Sequence, residues 1–337
     1  MDCITGEKIS QLQALIRGAQ KVVVAAHTHP DGDALGCTAA MALYLRDFCG
    51  KDAAVLLPDP APDTLRFALH PAVPYLLGPE AQAFIAQASL IILLDCNAFS
   101  RTDSLQDALE ASPAPKVLID HHLNPQTDSF DLVFSTPEIS SASELLYWIL
   151  MAMGEGFPDM AIGTALLTGM TTDTNNFANS VFPSTFQMAA GLLELGVDRD
   201  ALLQMIYNSY RENRIRLIGY MQSQQMHILP EGASYMILTK EIQQRFDLRE
   251  GESDGLVNMP LAIGAVRLSL LLKEEDGHFR VSLRSKKGTS AQNCAQRFFH
   301  GGGHENAAGG KLYPGQDFAS EEELVPYLEN ALKSTLS

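Results

Sequence analysis

The first half of the chain alternates short apolar runs with longer stretches of helical pattern. Residues 22–26, 53–57, 89–94 and 116–119 are apolar enough to read as strands, the second stopped by Pro58 and Pro60. Residues 1–20, 34–48, 79–88 and 105–111 read as helices around them. Strands and helices in alternation predict a parallel α/β sheet. Further helices are expected over 141–153, 158–168 and 185–195, and 199–220 reads as mostly helical.

The pattern then changes. Residues 234–238, 262–273 and 278–284 read as strands, the last two joined at Asp276-Gly277, whose residues both tolerate positive φ and so mark a hairpin. A helix is expected over 290–299, followed by Gly301-Gly302-Gly303-His304. Ser320 with Glu323 forms a capping-box pattern that opens a last helix to residue 332. The fold class expected is therefore α/β, with an N-terminal parallel-sheet domain over 1–198 and a helical connector over 199–225. A smaller α+β domain follows over 226–337.

Three strands run straight into polar chemistry. Residues 22–26 lead to His27, Asp31 and Asp33; 89–94 lead to Asp95; 116–119 lead to Asp120-His121-His122. Ligands of open α/β sheets bind at the carboxyl ends of strands, so these groups gather on one edge. Thr171-Thr172-Asp173-Thr174 follows a helical run and supplies another carboxylate. Massed carboxylates repel one another, and bound divalent cations relieve the repulsion. Imidazole and carboxylate without thiolate suit Mn²⁺, Mg²⁺ or Fe²⁺ better than structural zinc. Two such ions would serve metal-assisted hydrolysis of a phosphate ester.

Composition narrows the substrate. With 24 basic against 40 acidic residues the formal charge is −16, which opposes long nucleic acid. The chain is also poor in aromatics, at 7%, for a polymer-binding channel. A small phosphorylated ligand is still permitted. Arg284-Ser285-Lys286-Lys287 is the densest basic patch, and Gly301–Gly303 can bring backbone amides to an anion. His304 and Asn306 add donors, and Arg101 lies just after the Asp95 loop. Five scattered cysteines without a CxxC pair fit reduced thiols in a cytoplasm. No apolar run is long enough to span a bilayer, and the N-terminal stretch lacks the order of a secretion signal.

Each of these segments alone has an ordinary structural explanation. Asp31-Gly32-Asp33 is a common surface turn, residues 171–174 a common cap, and Gly301–Gly303 a common turn. Their order along one chain is harder to explain that way. His27-Thr28-His29-Pro30-Asp31-Gly32-Asp33, then Asp95, then Asp120-His121-His122, then Asp173 resembles the four-motif signature of the DHH phosphoesterases. Gly301 to Gly310 resembles the glycine-rich motif of the DHH-associated substrate domain. The compact two-domain layout is most similar to the bacterial oligoribonuclease/pAp-phosphatase group.

That resemblance implies an active site in an interdomain cleft, acting on short RNA and 3′-phosphoadenosine 5′-phosphate. It implies that His27, Asp31 and Asp95 bind one metal, and that Asp33, Asp95, His121 and Asp173 bind the other. Asp120 would orient an imidazole, and His122 would face the scissile phosphate. Arg284, Gly301, Gly302, Gly303, His304, Asn306 and Arg101 would hold the nucleotide. Linear or cyclic dinucleotides stand as an alternative substrate, and a non-catalytic nucleotide sensor as an alternative class. A long-strand exonuclease of the RecJ type and a manganese-dependent pyrophosphatase fit less well. A cytoplasmic enzyme without membrane or duplex partners is expected, and a homodimer stays open. Two departures from the pattern stand out: Cys96 where threonine is frequent, and acidic Glu305 inside the glycine-rich segment.

Overall fold

The computed structural model describes residues 2–154 and 159–336. The chain divides into two compact units, one ending at Ser209 and the other starting at Tyr210.

In the first unit α1 (Gly6–Gly18) precedes β1 (Lys21–Ala25), α2 (Gly32–Leu43), β2 (Asp52–Leu56), β3 (Tyr75–Leu76), α3 (Gly78–Ile85) and β4 (Leu90–Leu94). Then come α4 (Gln106–Ala111), β5 (Lys116–Asp120), β6 (Leu132–Ser135), α5 (Ala142–Met153), α6 (Met160–Asp173), α7 (Pro183–Glu194) and α8 (Arg199–Tyr207). The six strands form one wholly parallel sheet in the order β3-β2-β1-β4-β5-β6. Alternation along the strands decides what covers each face. Val22, Val24, Leu90, Ile92, Leu94, Val117 and Ile119 pack with residues of α1, α2, α5 and α6. Val23, Ala25, Ile91, Leu93 and Leu118 pack with Ala81 and Ile85 of α3 and Leu109 of α4. Both faces are therefore dry, which is why the central strands read as unbroken apolar runs.

The order reverses between β1 and β4. The chain leaves β1 toward β2 on one side and leaves β4 toward β5 on the other. Such a switch point opens a crevice at the carboxyl ends of the two strands. His27 and Asp95 stand there.

The second unit carries α9 (Glu212–Tyr220), β7 (His227–Ile228), β8 (Ala233–Leu238), α10 (Lys240–Arg245), β9 (Leu268–Glu274) and β10 (Phe279–Ser285). It ends with α11 (Ala291–Phe298), β11 (Gly302–His304), β12 (Ala307–Leu312) and α12 (Glu321–Leu336). Its mixed sheet runs β11-β12-β10-β9-β8-β7, with only β8 and β9 parallel. One face packs on α11 and α12 through Leu270, Leu283, Cys294 and Leu328. The other packs on α9 and α10 through Met236, Leu238, Leu217 and Ile242. The hairpin between β9 and β10 turns at Gly277, whose φ is +79°, and the Glu275 N–H donates to the His278 carbonyl at 2.8 Å.

Several boundaries differ from the sequence expectation. The strand expected over 262–273 begins only at Leu268, because Leu256–Ala262 coils as a 3₁₀ turn around Pro260 and the Val266 N–H closes a turn on the Ile263 carbonyl. The helix expected over 199–220 is two, with Asn208 capping α8. The helix expected from Pro158 has its start outside the described residues; from its Asp159 cap it continues past 168 to Asp173. Glu323 does reach back at the start of α12, but its carboxylate accepts from the Ala319 amide at 2.8 Å. The short strands β3, β6, β7 and β11, all sheet edges, went unread. No helix among the described residues is long and apolar enough to cross a membrane.

Candidate metal centre

Each acidic or imidazole group is delivered by a different device. His27 follows β1, and Asp31 is the N-cap of α2, its Oδ1 accepting from the Asp33 and Ala34 amides at 3.0 Å each. Asp33 lies in the first turn of α2, a helix buried along its whole length. A buried carboxylate needs donors. Asp33 finds them at the start of α5, where Oδ2 accepts from the Ala142 amide at 2.7 Å and Oδ1 from the Ser143 amide at 3.0 Å. The positive end of that helix favours an anion as well.

Three glycines let the helices close on Asp33. A Cβ on Gly32 would meet the Thr172 side chain at 2.3 Å, and one on Gly36 would meet the Ala165 carbonyl at 2.5 Å. A Cβ on Gly169 would lie 2.0 Å from Ser143 Oγ and 2.5 Å from Asp33 Oδ1. Close helix packing of α2 against α6 thus depends on absent side chains. Asp173 arrives as the last residue of α6, a helical position rather than a cap.

Asp95 follows β4 with φ +51°, a left-handed conformation that is uncommon for a non-glycine residue, although aspartate tolerates it better than most. Its carboxylate is 2% exposed and lies between two imidazoles. Oδ2 is 3.3 Å from His27 Nε2, and Oδ1 is 3.3 Å from His121 Nε2. His121 Nε2 is also 3.6 Å from Asp173 Oδ2 and 4.0 Å from Asp33 Oδ2. Asp120, fully buried at the end of β5, accepts from the His122 backbone amide at 3.0 Å and pairs with His122 Nδ1 at 2.8 Å.

Three groups of donors form within the first unit: His27, Asp31 and Asp95; Asp33, His121 and Asp173; and Asp95, Asp120 and His122, the first and last sharing Asp95. Within each, one ligand atom per residue lies within 4.8 Å of the others. The electrostatics are those of a site built for cations. Burial alone would lower His27, but the Asp95 and Asp31 carboxylates outweigh it and raise the imidazole to about 9. Burial opposes Asp173 and Asp95 in the same way at His121, which rises to about 10. Burial raises Asp33 well above the usual carboxylate range, and Asp95 and Asp173 add to it. Burial would raise Asp95 too, but contacts with His121 and His27 hold it well below that range. In the ion-free chain, imidazolium supplies the cation. Asp95 Oδ1 is nevertheless buried without an aligned hydrogen-bond donor, so an acceptor still faces the cluster. Oxygen and imidazole donors with no thiolate fit a divalent ion of the Mg²⁺–Mn²⁺–Fe²⁺ kind. Cys96 stays apart, its thiol donating to the Ala98 carbonyl and pushed up to about 12 by burial.

This geometry agrees with the family comparison. The DHH family, N-terminal domain, matches residues 21–172, and the DHHA1 domain matches residues 234–333. An exopolyphosphatase-related protein from Bacteroides fragilis superposes with a TM-score of 0.90 at 35% identity, covering 99% of this chain and 97% of that one. The chain belongs to the DHH family. This DHH chain is a metal-dependent hydrolase of phosphate esters. It is 28% identical to the probable bifunctional oligoribonuclease and PAP phosphatase NrnA of Streptococcus mutans, over 95% of this chain and 97% of that protein. It is 26% identical to the cyclic-di-AMP phosphodiesterase PdeA of Listeria monocytogenes, over 95% of this chain but 49% of that protein.

The remaining sequence-derived positions of the DHH chain fall in two places. Arg101 lies in the turn after β4; its carbonyl accepts from the Thr28 amide at 2.8 Å, and its charge opposes protonation of His27. Arg284 lies on β10, Gly302, Gly303 and His304 on β11, Gly301 just before β11, and Asn306 in the turn to β12, all in the second unit. Gly301 and Gly303 are needed for chain packing, since a Cβ would lie 1.9 Å from the Gly309 carbonyl or 2.6 Å from that of Ala307. Gly302 faces open space. Asn306 Nδ2 ties down the preceding turn, within 2.9–3.2 Å of Ser285 Oγ and the Lys286 and Thr289 carbonyls.

Sequence reasoning missed the anchoring amides of α5, the glycine seam and Asp59. The last follows β2, the neighbour of β1, and its place between Pro58 and Pro60 was the available signal.

Proposed function

We propose that the chain is a two-ion phosphoesterase, Mn²⁺ being the favoured ion, which hydrolyses short oligoribonucleotides and 3′-phosphoadenosine 5′-phosphate to nucleoside monophosphates. The supporting observation is the placement of Asp95, which turns one carboxylate oxygen toward His27 and the other toward His121, each at 3.3 Å. A carboxylate shared in this way suits a bridging ligand. On this reading His27, Asp31 and Asp95 hold one ion, and Asp33, Asp95, His121 and Asp173 the other. Bound divalent ions supply Lewis acidity at the phosphoryl oxygens and hydroxide at neutral pH. Asp120 accepts from His122 Nδ1, which fixes the ring and turns Nε2 outward to the scissile phosphate.

The formal charge of −16 favours small substrates over long strands. Similarity to the Streptococcus mutans protein along nearly its whole length favours pAp and short RNA. Arg284, Gly301, Gly302, Gly303, His304, Asn306 and Arg101 are proposed to bind the nucleotide. A second reading, linear or cyclic dinucleotides, draws support from the Listeria relative. A sensor without catalysis would be expected to have lost a donor, and each donor position of the motif pattern is filled.

The test is phosphate or nucleotide release with Mn²⁺ from pAp, pApA, cyclic di-AMP, a five-nucleotide RNA, long single-stranded DNA and pyrophosphate. Preference for pAp and the short RNA, abolished by Asp95→Ala, is expected. Dominant turnover of cyclic di-AMP would move the substrate assignment to the second reading. Dominant turnover of long DNA or pyrophosphate would overturn both.

A further inference from the structure

The two halves of the centre meet at the start of α2, where Asp31 accepts from the Asp33 amide, but different contacts hold them. Asp33 is gripped by two amides of α5 deep in the unit, and Asp173 ends α6 beside it. His27 and Asp31 instead flank a short loop in which His29 is exposed and takes φ +53°. Histidine is among the residues that tolerate positive φ, and a contact from outside the loop holds it there.

The contact is Asp59. One of its carboxylate oxygens, Oδ2, accepts from the His29 amide at 2.7 Å and from the Thr28 hydroxyl, and it lies 3.7 Å from His29 Nδ1. Thr28 is fixed again through its own amide, which donates to the Arg101 carbonyl at 2.8 Å. The Thr28 carbonyl in turn stands 2.7 Å from His27 Nδ1. With Nδ1 engaged there, Nε2 is the nitrogen turned to Asp95 and Asp31. A chain of contacts therefore runs from Asp59 through Thr28 to the ring of His27, and it touches neither Asp33 nor Asp173.

We infer that Asp59 is a positioning residue for the His27–Asp31 half of the centre alone. It locks the loop between β1 and α2 so that His27 and Asp31 converge on Asp95. The inference rests on the two-ion reading above, and it divides the centre into one site preformed by helix packing and one completed by a loop latch.

Calorimetric titration of the full-length, chelator-treated chain with Mn²⁺, read together with Mn²⁺ electron paramagnetic resonance, tests it. The wild-type chain is expected to take up two ions and show the exchange-coupled spectrum of a paired site. Asp59→Ala should keep one ion at wild-type affinity and weaken the other by roughly 10–100-fold, the usual effect of losing a contact behind a ligand. Its spectrum should be that of isolated ions. Asp59→Asn keeps an acceptor oxygen and should restore both ions. If Asp59→Ala does not fold, Thr28→Val removes one strand of the latch and should weaken the same ion selectively. Two ions at wild-type affinity in Asp59→Ala, or equal weakening of both, would overturn the inference. A wild-type chain that binds a single ion would overturn the two-ion reading itself.

Discussion

Asp120 grips His122 twice, once at the backbone amide at 3.0 Å and once at imidazole Nδ1 at 2.8 Å. Asp120 is fully buried at a strand end, so the ring inherits the rigidity of the sheet. Asp120→Asn keeps the shape but weakens the preference for a protonated Nδ1. Turnover should fall by about 10–100-fold, with kcat affected more than KM and melting nearly unchanged. Steady-state kinetics beside thermal melts check this; an equal loss in KM alone would assign His122 to ground-state binding.

Gly169→Ala tests the glycine seam. The added methyl would overlap Ser143 Oγ and Asp33 Oδ1, groups embedded in the core. Overpacking of this kind destabilises by about 1–3 kcal/mol. A lower denaturant midpoint with reduced Mn²⁺ uptake is expected. Unchanged metal binding would mean that the helices part without moving Asp33.

The ion-free chain should lose stability as pH rises. His27 and His121 titrate near 6.5 when unfolded, but the neighbouring carboxylates raise them to about 9 and about 10 in the fold. Their contribution is complete below about 6.5 and disappears as pH climbs through about 9 to 10. Asp33, raised in the fold, acts in the same direction. Ion binding reverses the slope, since imidazole must shed its proton to ligate. Melting curves across this range, with chelator and with Mn²⁺, should therefore diverge as pH rises. Parallel curves would contradict the assignment of these imidazoles.

Arg284→Ala and His304→Ala should impair use of pAp and short RNA while Mn²⁺ uptake stays at the wild-type level. Both residues lie in the second unit, on β10 and β11, whereas His27, Asp31, Asp33, Asp95, His121 and Asp173, the residues proposed to hold the ions, lie in the first. Substrate-dependent kinetics set against metal titration separate the two effects. Unchanged kinetics would move the phosphate contacts elsewhere.

How much of this the sequence revealed depended on burial. The runs before His27, Asp95 and Asp120 were legible because both faces of the central strands are dry. Edge strands such as β3 and β7 are two residues long and leave no run to read. Asp173 looked like a cap because Thr171, Thr172 and Thr174 flank it; the hydroxyls of Thr172 and Thr174 instead bond back to Thr168 and Met170 carbonyls inside the helix. Gly32, Gly36 and Gly169 were opaque for another reason. A glycine needed for close helix approach looks like any other until the partner helix is in place.

The crossing of the sheet between β1 and β4 has a consequence for assembly. His27, Asp31 and Asp33 come from one wing of the sheet, Asp95 and His121 from the other, and Asp173 from a helix made later still. A ribosome that has released only the first wing has produced a surface with no counterpart for an ion. On the proposed ion assignment each donor set draws on both wings, so ion uptake would report that the two wings have joined.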